Sequence, residues 1–281
     1  MRQVLSTHLF VNHRLTTAAL DRIANAGISA VEIFCARQHV DWRNSAQTAE
    51  LAHFFSDSNL QLWSLHSPMY SDEVWGRSGP HAVIDITEPV KARRIAQVDE
   101  IKRALEIAEN IPVRYLVQHL GVSGAEFDER RMEAGFTSLE ELKSFAKQRG
   151  VEILLENIPN GFSSAAALNR FNGQTHLDLN YCFDIGHAHL SDDIEGEYTA
   201  MKTRIRSTHL HDNDGKEDSH LFPFLHEAGT IDWSAGLRLL SSRPEQYPLL
   251  LELREDPDKQ QPLESVRDIF ERFDSLLKEQ Q

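Results

Sequence analysis

The sequence predicts one parallel (β/α)8 barrel of the α/β class, spanning residues 1–281 as a single domain. Three observations indicate this fold: eight short apolar runs at fairly even spacing, segments of helical period between them, and no linker-like or low-complexity tract. Parallel strands buried on both faces have such continuous apolar runs, and one barrel commonly takes about 250 residues. A doubly wound open sheet is the alternative, but no glycine-rich phosphate-binding turn follows an early strand.

The apolar runs give the predicted strands. Each run is short, rich in β-branched, leucine or aromatic residues, and not cleanly alternating, as expected for a barrel interior. We expect strands at Val4–Phe10, Ala30–Cys35, Leu60–Leu65, Val113–Val117, Val151–Leu155, Tyr181–Phe183, Ile205–Leu210 and Pro248–Leu253.

Helix signals occur in several of the intervening segments. Gly27 and Gly150 follow two of them as C-terminal stops, a proline opens another, and a serine is the expected cap of a fourth. The helices predicted from these signals are Thr16–Ala26, Ala46–Ser58, Pro89–Asn110, Ser138–Arg149 and Leu263–Lys278.

Composition narrows the range of functions. The chain has 29 basic and 43 acidic residues, a formal net charge of −14. An acidic surface repels phosphate backbones and anionic lipid, so we expect neither a nucleic-acid nor a membrane partner. The two cysteines, Cys35 and Cys182, lie in apolar runs and are too few for a disulfide framework. With no signal peptide or membrane span recognisable, we expect a cytoplasmic protein with reduced cysteines.

Ionisable residues stand at the end of each of the last six predicted strands. They are His66, His119, Glu156, Asp184 with His187 three residues on, the pair His209 and His211, and Glu252. A barrel brings all its strand ends to one mouth, where active sites of this fold lie. Buried carboxylates are costly unless paired or metal-bound, and basic partners are scarce here. The set therefore predicts a divalent metal: carboxylates favour Mn, Mg or Co, and each added histidine favours Zn or Fe.

At these residues the sequence resembles the xylose-isomerase-like barrel superfamily. The resemblance covers nearly the whole chain and rests on the strand ends, on Asp184-x-x-His187, and on the segments 209–213 and 229–233. It implies one metal ion held by Glu156, Asp184, His209 and Glu252. It also implies that the two glutamates exchange a proton with the substrate carbon and that His187 orients the substrate oxygen.

The superfamily also contains metal-dependent apurinic endonucleases, whose branch holds three zinc ions with nine ligands. The additional ligand positions of that branch match His66, His119, His187, Asp218 and His220, which are further candidates for metal or substrate binding. The chain departs from the family pattern after the seventh strand. Glu227-Ala228-Gly229 replaces the usual Gly-Glu-Gly, and His211 stands where a lysine or asparagine is common.

These residues predict a divalent-metal-dependent isomerase or epimerase of a small sugar or sugar derivative, acting through an enediolate. A sugar lyase or dehydratase could use the same residues, and phosphodiester hydrolysis at abasic DNA is the alternative that the ligand set leaves open. The clusters Arg93-Arg94 and Lys102-Arg103 lie among acids, which is typical of a solvated helix face rather than a DNA-binding one. A non-catalytic sugar-binding or metal-storing barrel would lose the base, yet both glutamates are present.

Substrate contacts are predicted at the first strands and in the long third connection. His8 and Glu32, at or near the first two strand ends, and Lys216, one of few nearby cations, are expected to bind substrate. Residues 67–86 include Trp75 and are expected to form a lid over the mouth. The partner predicted is a small carbohydrate. The oligomeric state stays open, with a homo-oligomer as one option.

Overall fold

A computed structural model describes residues 1–243 and 247–280. Its strands are β1 (Arg2–Ser6), β2 (Ala30–Phe34), β3 (Gln61–His66), β4 (Tyr115–His119), β5 (Glu152–Glu156), β6 (Asn180–Asp184), β7 (Ile205–His209) and β8 (Pro248–Leu251). They pair in parallel in the order β7-β6-β5-β4-β3-β2-β1-β8. The ring closes at Leu210, whose N–H donates to Leu250 (2.8 Å) and whose carbonyl accepts from Glu252 (3.1 Å). The predicted (β/α)8 barrel is confirmed.

Helices follow the strands around the barrel. They are α1 (Thr17–Asn25), α2 (Ser45–Asp57), α3 (Lys91–Leu105), α4 (Glu129–Lys147), α5 (Ala165–Gln174), α6 (Ile185–Leu190), α7 (Ile194–Met201), α8 (Trp233–Ser241) and α9 (Pro262–Glu279), with 3-10 turns at Thr7–Phe10, Gly79–Ala82 and Glu106–Glu109. Among the described residues, no helix combines the length and apolar character needed to cross a lipid bilayer.

The boundaries of the first strand and of the fourth helix were predicted wrongly. The first strand ends at Ser6 rather than Phe10, because the Ser6 hydroxyl accepts from the His8 N–H (3.3 Å) and caps a 3-10 turn. The fourth helix begins at Glu129, not Ser138, because the Asp128 carboxylate caps it by accepting from Arg131 (2.9 Å). Ser138 lies inside this helix and donates to the Ile86 carbonyl (2.8 Å), so it joins the helix to the third connection.

The third helix was also predicted too long. Val90 is its N-cap, so Pro89 lies outside it, and the last turn tightens into the 3-10 segment Glu106–Glu109. The helices α5 to α8 carry their own caps, at Ser164, Asp184, Asp193 and Asp232. Their short lengths explain why the sequence patterns did not reveal them individually.

The barrel interior has an apolar floor below a polar mouth. Leu154, Cys182 and Leu250 belong to small buried apolar clusters. Alternate residues of a strand face the same side, so the residues two positions further along these strands rise from the floor toward the mouth. Those residues are Glu156, Asp184 and Glu252. The two-residue period of the strands therefore delivers the three carboxylates to the same layer.

Candidate active site and metal centre

Four buried side chains from consecutive strands meet at the centre of the barrel mouth. They are Glu156, Asp184, His209 and Glu252, and one ligand atom from each lies within 4.8 Å of the others. Nδ1 of His209 lies 2.9 Å from Oε1 of Glu156 and 3.2 Å from Oε2 of Glu252. The four residues that the resemblance gave as metal ligands are thus brought together, and we call them the central group.

Asn157 fixes the relative position of β5 and β6 at this point. Its side-chain oxygen accepts from the Asp184 N–H (2.7 Å), and its amide donates to the Asp184 carbonyl (2.9 Å). Asp184 also caps α6, since its Oδ1 accepts from the His187 N–H (2.6 Å). These bonds hold the Asp184 carboxylate in place and leave its Oδ2 directed at the central group.

The donor set of the central group fits a divalent cation. Oδ2 of Asp184 is buried without a hydrogen-bond partner, and it lies 3.9 Å from Nδ1 of His209. Among the described residues, the charged partners within salt-bridge distance of these three carboxylates are histidines, with no lysine or arginine. A buried carboxylate oxygen without a partner is costly, and a cation bound by three carboxylates and one imidazole would remove that cost.

The pKa shifts of Glu156 and Glu252 also favour cation binding. Burial alone would raise the pKa of Glu156, but His209 and His119 beside it hold that pKa well below its usual range. Burial would also raise the pKa of Glu252, but His209 and His220 hold it well below its usual range. Both side chains are therefore anionic at neutral pH, the state in which a carboxylate binds a cation or accepts a proton.

A second group of candidate ligands shares Glu156. Its other members are His66 and His119, at the ends of β3 and β4. Oε2 of Glu156 lies 3.0 Å from Nε2 of His119 and 3.4 Å from Nε2 of His66. His66 donates its Nδ1 proton to the Ser67 carbonyl (2.9 Å), so its Nε2 is free to bind a cation. Glu156 therefore connects this group to the central one.

A third group lies on the other side of the central one. It consists of His187, His211, Asp218 and His220. His220 has a positive φ of 50°, a region that is costly for residues other than glycine and is seen most often at functional sites. The sequence predictions gave three of these residues as candidate ligands; they counted His211 among the strand-end residues but gave it no ligand role. Its position two residues after His209, at the end of a strand, was the available signal.

The loop after β7 is organised by Asp212. Its carboxylate accepts from the indole N–H of Trp233 (2.7 Å) and from the backbone N–H groups of Thr230 (2.9 Å) and Ile231 (3.1 Å). A side chain at Gly229 would lie 2.7 Å from the Asp212 carboxyl carbon, so this position has room for hydrogen only. The motif residues 229–233 thus hold the loop in shape and are not candidate ligands themselves.

The predicted substrate residues lie in different surroundings. Glu32 is fully buried, accepts from the Ser64 hydroxyl (2.8 Å) and faces Nε2 of His209, so it lies behind the central group rather than on a pocket wall. Lys216 is exposed on the loop after β7, and no described hydrogen bond or ion pair joins its ammonium to the three groups. His8 is buried against His220, with ring centroids 5.0 Å apart. Burial and His220 lower the pKa of His8 to about 3, so this imidazole is neutral.

Residues 67–86 cover one side of the mouth. The segment folds back on itself through an antiparallel bridge between Tyr70 and Val83. Trp75 packs on Phe34 and His8, with ring centroids 5.3 Å and 5.7 Å away. Beneath the segment is a cavity of about 280 Å³, which borders His66, His119, Met69, Tyr70 and Gln118. The cavity gives direct access to the second group.

Comparison with known proteins supports the same reading of the fold. A family model described as the xylose isomerase-like TIM barrel matches residues 20–276. An uncharacterized protein of Methanocaldococcus jannaschii is 26% identical over 171 residues, covering 59% of this chain and 64% of that relative. The match therefore spans slightly less than two thirds of that relative's length. A second uncharacterized protein of the same organism is 24% identical over 232 residues, covering 79% of this chain and 74% of that protein.

Solved structures similar to this chain share its whole fold. A D-tagatose 3-epimerase-like protein has a TM-score of 0.79 and 21% identity, covering 100% of this chain and 99% of that one. L-ribulose 3-epimerase has a TM-score of 0.76 and 17% identity, covering 99% and 94%. The IolI protein, solved with a bound zinc atom, has a TM-score of 0.73 and 16% identity, covering 99% of each chain. At these identities the similarity is one of fold.

Proposed function

Because the chain belongs to the xylose isomerase-like TIM-barrel family, we propose that it is a divalent-metal-dependent isomerase or epimerase of a small sugar or sugar derivative. One observation carries this proposal: two buried, anionic glutamates, Glu156 and Glu252, face the same imidazole nitrogen of His209 at the barrel mouth. Proton transfer at a sugar carbon requires a base that is ionised and fixed in position.

The central group would hold the cation, through Glu156, Asp184, His209 and Glu252. When bound, a divalent cation polarises the carbonyl and the adjacent hydroxyl of a sugar as a Lewis acid, which acidifies the neighbouring C–H. The buried and unpartnered Oδ2 of Asp184 supports this assignment. The zinc atom of the similar IolI structure supports it as well. The donor set, three carboxylates and one imidazole, is compatible with Mn, Mg, Co, Fe or Zn.

The two glutamates carry out the proton transfer in this proposal. One carboxylate removes the proton from the carbon next to the carbonyl and leaves an enediolate. In an isomerase the same carboxylate, now protonated, gives the proton to the neighbouring carbon. In an epimerase the other carboxylate first takes up a proton from solvent and then gives it to the opposite face of the original carbon, while the first loses its proton to solvent. Glu156 and Glu252 come from strands separated by β6 and β7, so they can approach a substrate from different sides. Neither needs prior deprotonation, since histidines hold both pKa values low.

His187 is proposed to orient a substrate oxygen, the role that the family resemblance implies. Its Nδ1 donates to the Asn157 carbonyl (2.9 Å), which fixes the ring and turns Nε2 toward the third group. In the structure this Nε2 lies 3.1 Å from Oδ2 of Asp218.

The space beneath residues 67–86 suits a small substrate. Its volume of about 280 Å³ is just below the range of about 300 to 1,000 Å³ that is usual for ligand pockets. The cavity is bordered by His66 and His119, whose Nε2 atoms face Glu156. A monosaccharide held there would have its polar edge toward the central group and its other side against Met69 and Tyr70.

The direct test is turnover of sugars in heavy water. Chelator-treated protein is reloaded with Mn²⁺ or Co²⁺ and incubated with a panel of pentoses, hexoses, ketoses and inososes. We expect one class to be converted, with solvent deuterium on the carbon that changes, as seen by NMR. A sugar lyase or dehydratase would instead release an unsaturated product. No conversion of any compound by folded, metal-loaded protein would contradict the enzyme proposal and favour a binding protein.

Phosphodiester hydrolysis at abasic DNA is the second candidate, and one observation favours it. The three ligand groups adjoin one another, and they include all nine positions that match the endonuclease branch. The net charge of −14 opposes it, because duplex binding needs a basic face. Two of the five cations of α3 are also engaged in ion pairs, Lys102 with Glu141 and Arg103 with Glu100. We therefore expect no incision of an abasic duplex at physiological salt; efficient incision would reverse the order of the two candidates.

A further inference from the structure

The imidazole of His211 is the least explained side chain at the barrel mouth. It is fully buried, and its Nε2 has no hydrogen-bond partner. This nitrogen lies 3.2 Å from Oδ1 of Asp184 and 3.7 Å from Oδ1 of Asp218. Oδ1 of Asp218 also lacks a hydrogen-bond partner. A buried nitrogen and a buried carboxylate oxygen, both unpartnered, thus face each other.

Three histidines around Asp218 are oriented in the same way. Nδ1 of each donates to a backbone carbonyl: His187 to Asn157 (2.9 Å), His211 to Asp212 (3.4 Å) and His220 to Glu252 (2.9 Å). A carbonyl can only accept, so each Nδ1 carries a proton and Nε2 is the nitrogen left to face a ligand. Such second hydrogen bonds are the usual way in which proteins orient metal-binding histidines.

The Nε2 atoms of these histidines converge on one carboxylate. They lie 3.1 Å (His187), 3.3 Å (His220) and 3.7 Å (His211) from the nearest oxygen of Asp218. A ring nitrogen and a carboxylate oxygen at such distances need a proton or a cation between them, and a divalent cation can take the place of the proton. Three imidazoles and one carboxylate form the nitrogen-rich, four-ligand set that Zn²⁺ prefers.

We propose that His211 is the fourth protein ligand of a second divalent-cation site, formed with His187, Asp218 and His220. Four protein ligands close a tetrahedral site, whereas a catalytic zinc site keeps one position open. This cation would be retained as a fixed charge beside the central group. The inference goes beyond the proposed function, and it gives Nε2 of His187 to this cation rather than to the substrate oxygen.

Gly186 is the residue that makes room for His211. A Cβ at position 186 would lie 2.1 Å from Cε1 and 2.4 Å from Nε2 of the imidazole, so any larger residue must displace the ring. Gly186 lies on α6, and its φ is not in the left-handed region, so alanine is tolerated by the backbone there. Gly186→Ala therefore removes His211 from the site while leaving all four ligands in the chain.

The experiment measures Zn²⁺ binding to chelator-treated protein by isothermal titration calorimetry and elemental analysis. We expect His211→Asn and Gly186→Ala to bind one Zn²⁺ fewer per chain than the wild type, or to bind it at least about 10-fold more weakly. His189→Asn is the matched control. His189 lies on α6, as Gly186 does, but its imidazole hydrogen-bonds with the Thr230 hydroxyl (2.8 Å). This variant should bind Zn²⁺ as the wild type does. Circular dichroism confirms folding, and His211→Gln replaces any asparagine variant that fails to fold.

Glu252→Gln separates this inference from the proposed function, because it removes a ligand of the central group only. Loss of one ion in Glu252→Gln, with wild-type binding in folded His211→Asn and Gly186→Ala, would overturn the His211 site and leave the central site standing. Loss in the His211 and Gly186 variants alone would support the His211 site and count against the central one. If each single variant loses one ion and a variant that combines His211→Asn with Glu252→Gln loses two, both sites are supported. Wild-type binding in folded Gly186→Ala, with loss in His211→Asn, would contradict the steric role of Gly186.

Discussion

Oε2 of Glu32 lies 3.2 Å from Nε2 of His209, below the central group. The same oxygen accepts from the Ser64 hydroxyl (2.8 Å), which holds the carboxylate in place. Nε2 of His209 can therefore donate to Glu32 while Nδ1 faces Glu156 and Glu252. A carboxylate behind a histidine ligand fixes the ring and raises its basicity. From these contacts we propose that Glu32 positions His209, while the substrate contact predicted for Glu32 stays a prediction.

Glu32→Gln tests this role. Glutamine can still accept from His209 but carries no charge, so we expect the affinity for Mn²⁺ or Zn²⁺ at the central group to fall by about 10- to 100-fold. Calorimetric titration of the chelator-treated protein measures the change. Glu50→Gln, at an exposed position on α2, is the control and should bind as the wild type does. Unchanged affinity in folded Glu32→Gln would show that Glu32 serves packing only.

The second prediction concerns the two glutamates that are proposed to transfer the proton. Glu156→Gln and Glu252→Gln keep the shape of the side chain but cannot accept a proton, so each should lower kcat by at least about 100-fold. The metal content of each variant must be measured with its activity, because both residues also face the proposed cation. Product formed by the wild type without solvent deuterium would indicate hydride transfer between carbons, and the glutamates would then be ligands only.

The third prediction concerns Trp75, in the segment over the mouth. The indole packs on His8 and Phe34 at the edge of the site, and its N–H has no hydrogen-bond partner. If the segment closes over the substrate, Trp75→Ala should raise KM or lower kcat and leave Tm nearly unchanged. Val74→Ala, at the exposed neighbouring position, should behave as the wild type. A large fall in Tm with normal kinetics would show a packed surface loop instead.

The fourth prediction is a pH dependence of cation binding at the third group. Burial would lower the pKa of His220, but Asp218 beside it raises the pKa to about 9. A proton on Nε2 competes with the cation, so binding below about pH 9 must release this proton, and affinity should rise as pH rises toward that value. Titrations in buffers of different ionisation enthalpy count the protons released. His220→Gln should release fewer per ion; equal release in both proteins would contradict the assignment.

Much of the candidate site could be predicted from the sequence, because strand and ligand positions are local properties. A buried parallel strand is a continuous apolar run, and the polar residue that ends it marks the mouth of the barrel. This is why Glu156, Asp184 and His209 could be located without coordinates. The barrel was predicted in this way and the family from the resemblance of the motifs, and both are confirmed.

Helix starts were harder to predict, because capping depends on contacts with other parts of the chain. Serine is a favoured N-cap residue, yet the hydroxyl of Ser138 donates to the carbonyl of Ile86, in the connection between β3 and α3. Asp128, ten residues earlier, provides the cap that the helix uses. Asp128 and Ser138 were both possible caps. Asp128 is the one used, because Ser138 lies inside the helix and contacts Ile86, which is distant in the sequence.

The surroundings of Glu32 and His211 depend on the tertiary structure alone. Glu32 pairs in register with Ser6 and Ser64, one layer below the strand ends. Its carboxylate therefore lies behind the central group and is not a member of it. His211 lies beyond the end of β7, and its direction depends on the room left by Gly186 on a different element. Sequence period determines which face of a strand a side chain takes. The height of that side chain in the barrel and the space around it depend on register and packing between segments that are distant in the chain. These contacts form only when the barrel closes.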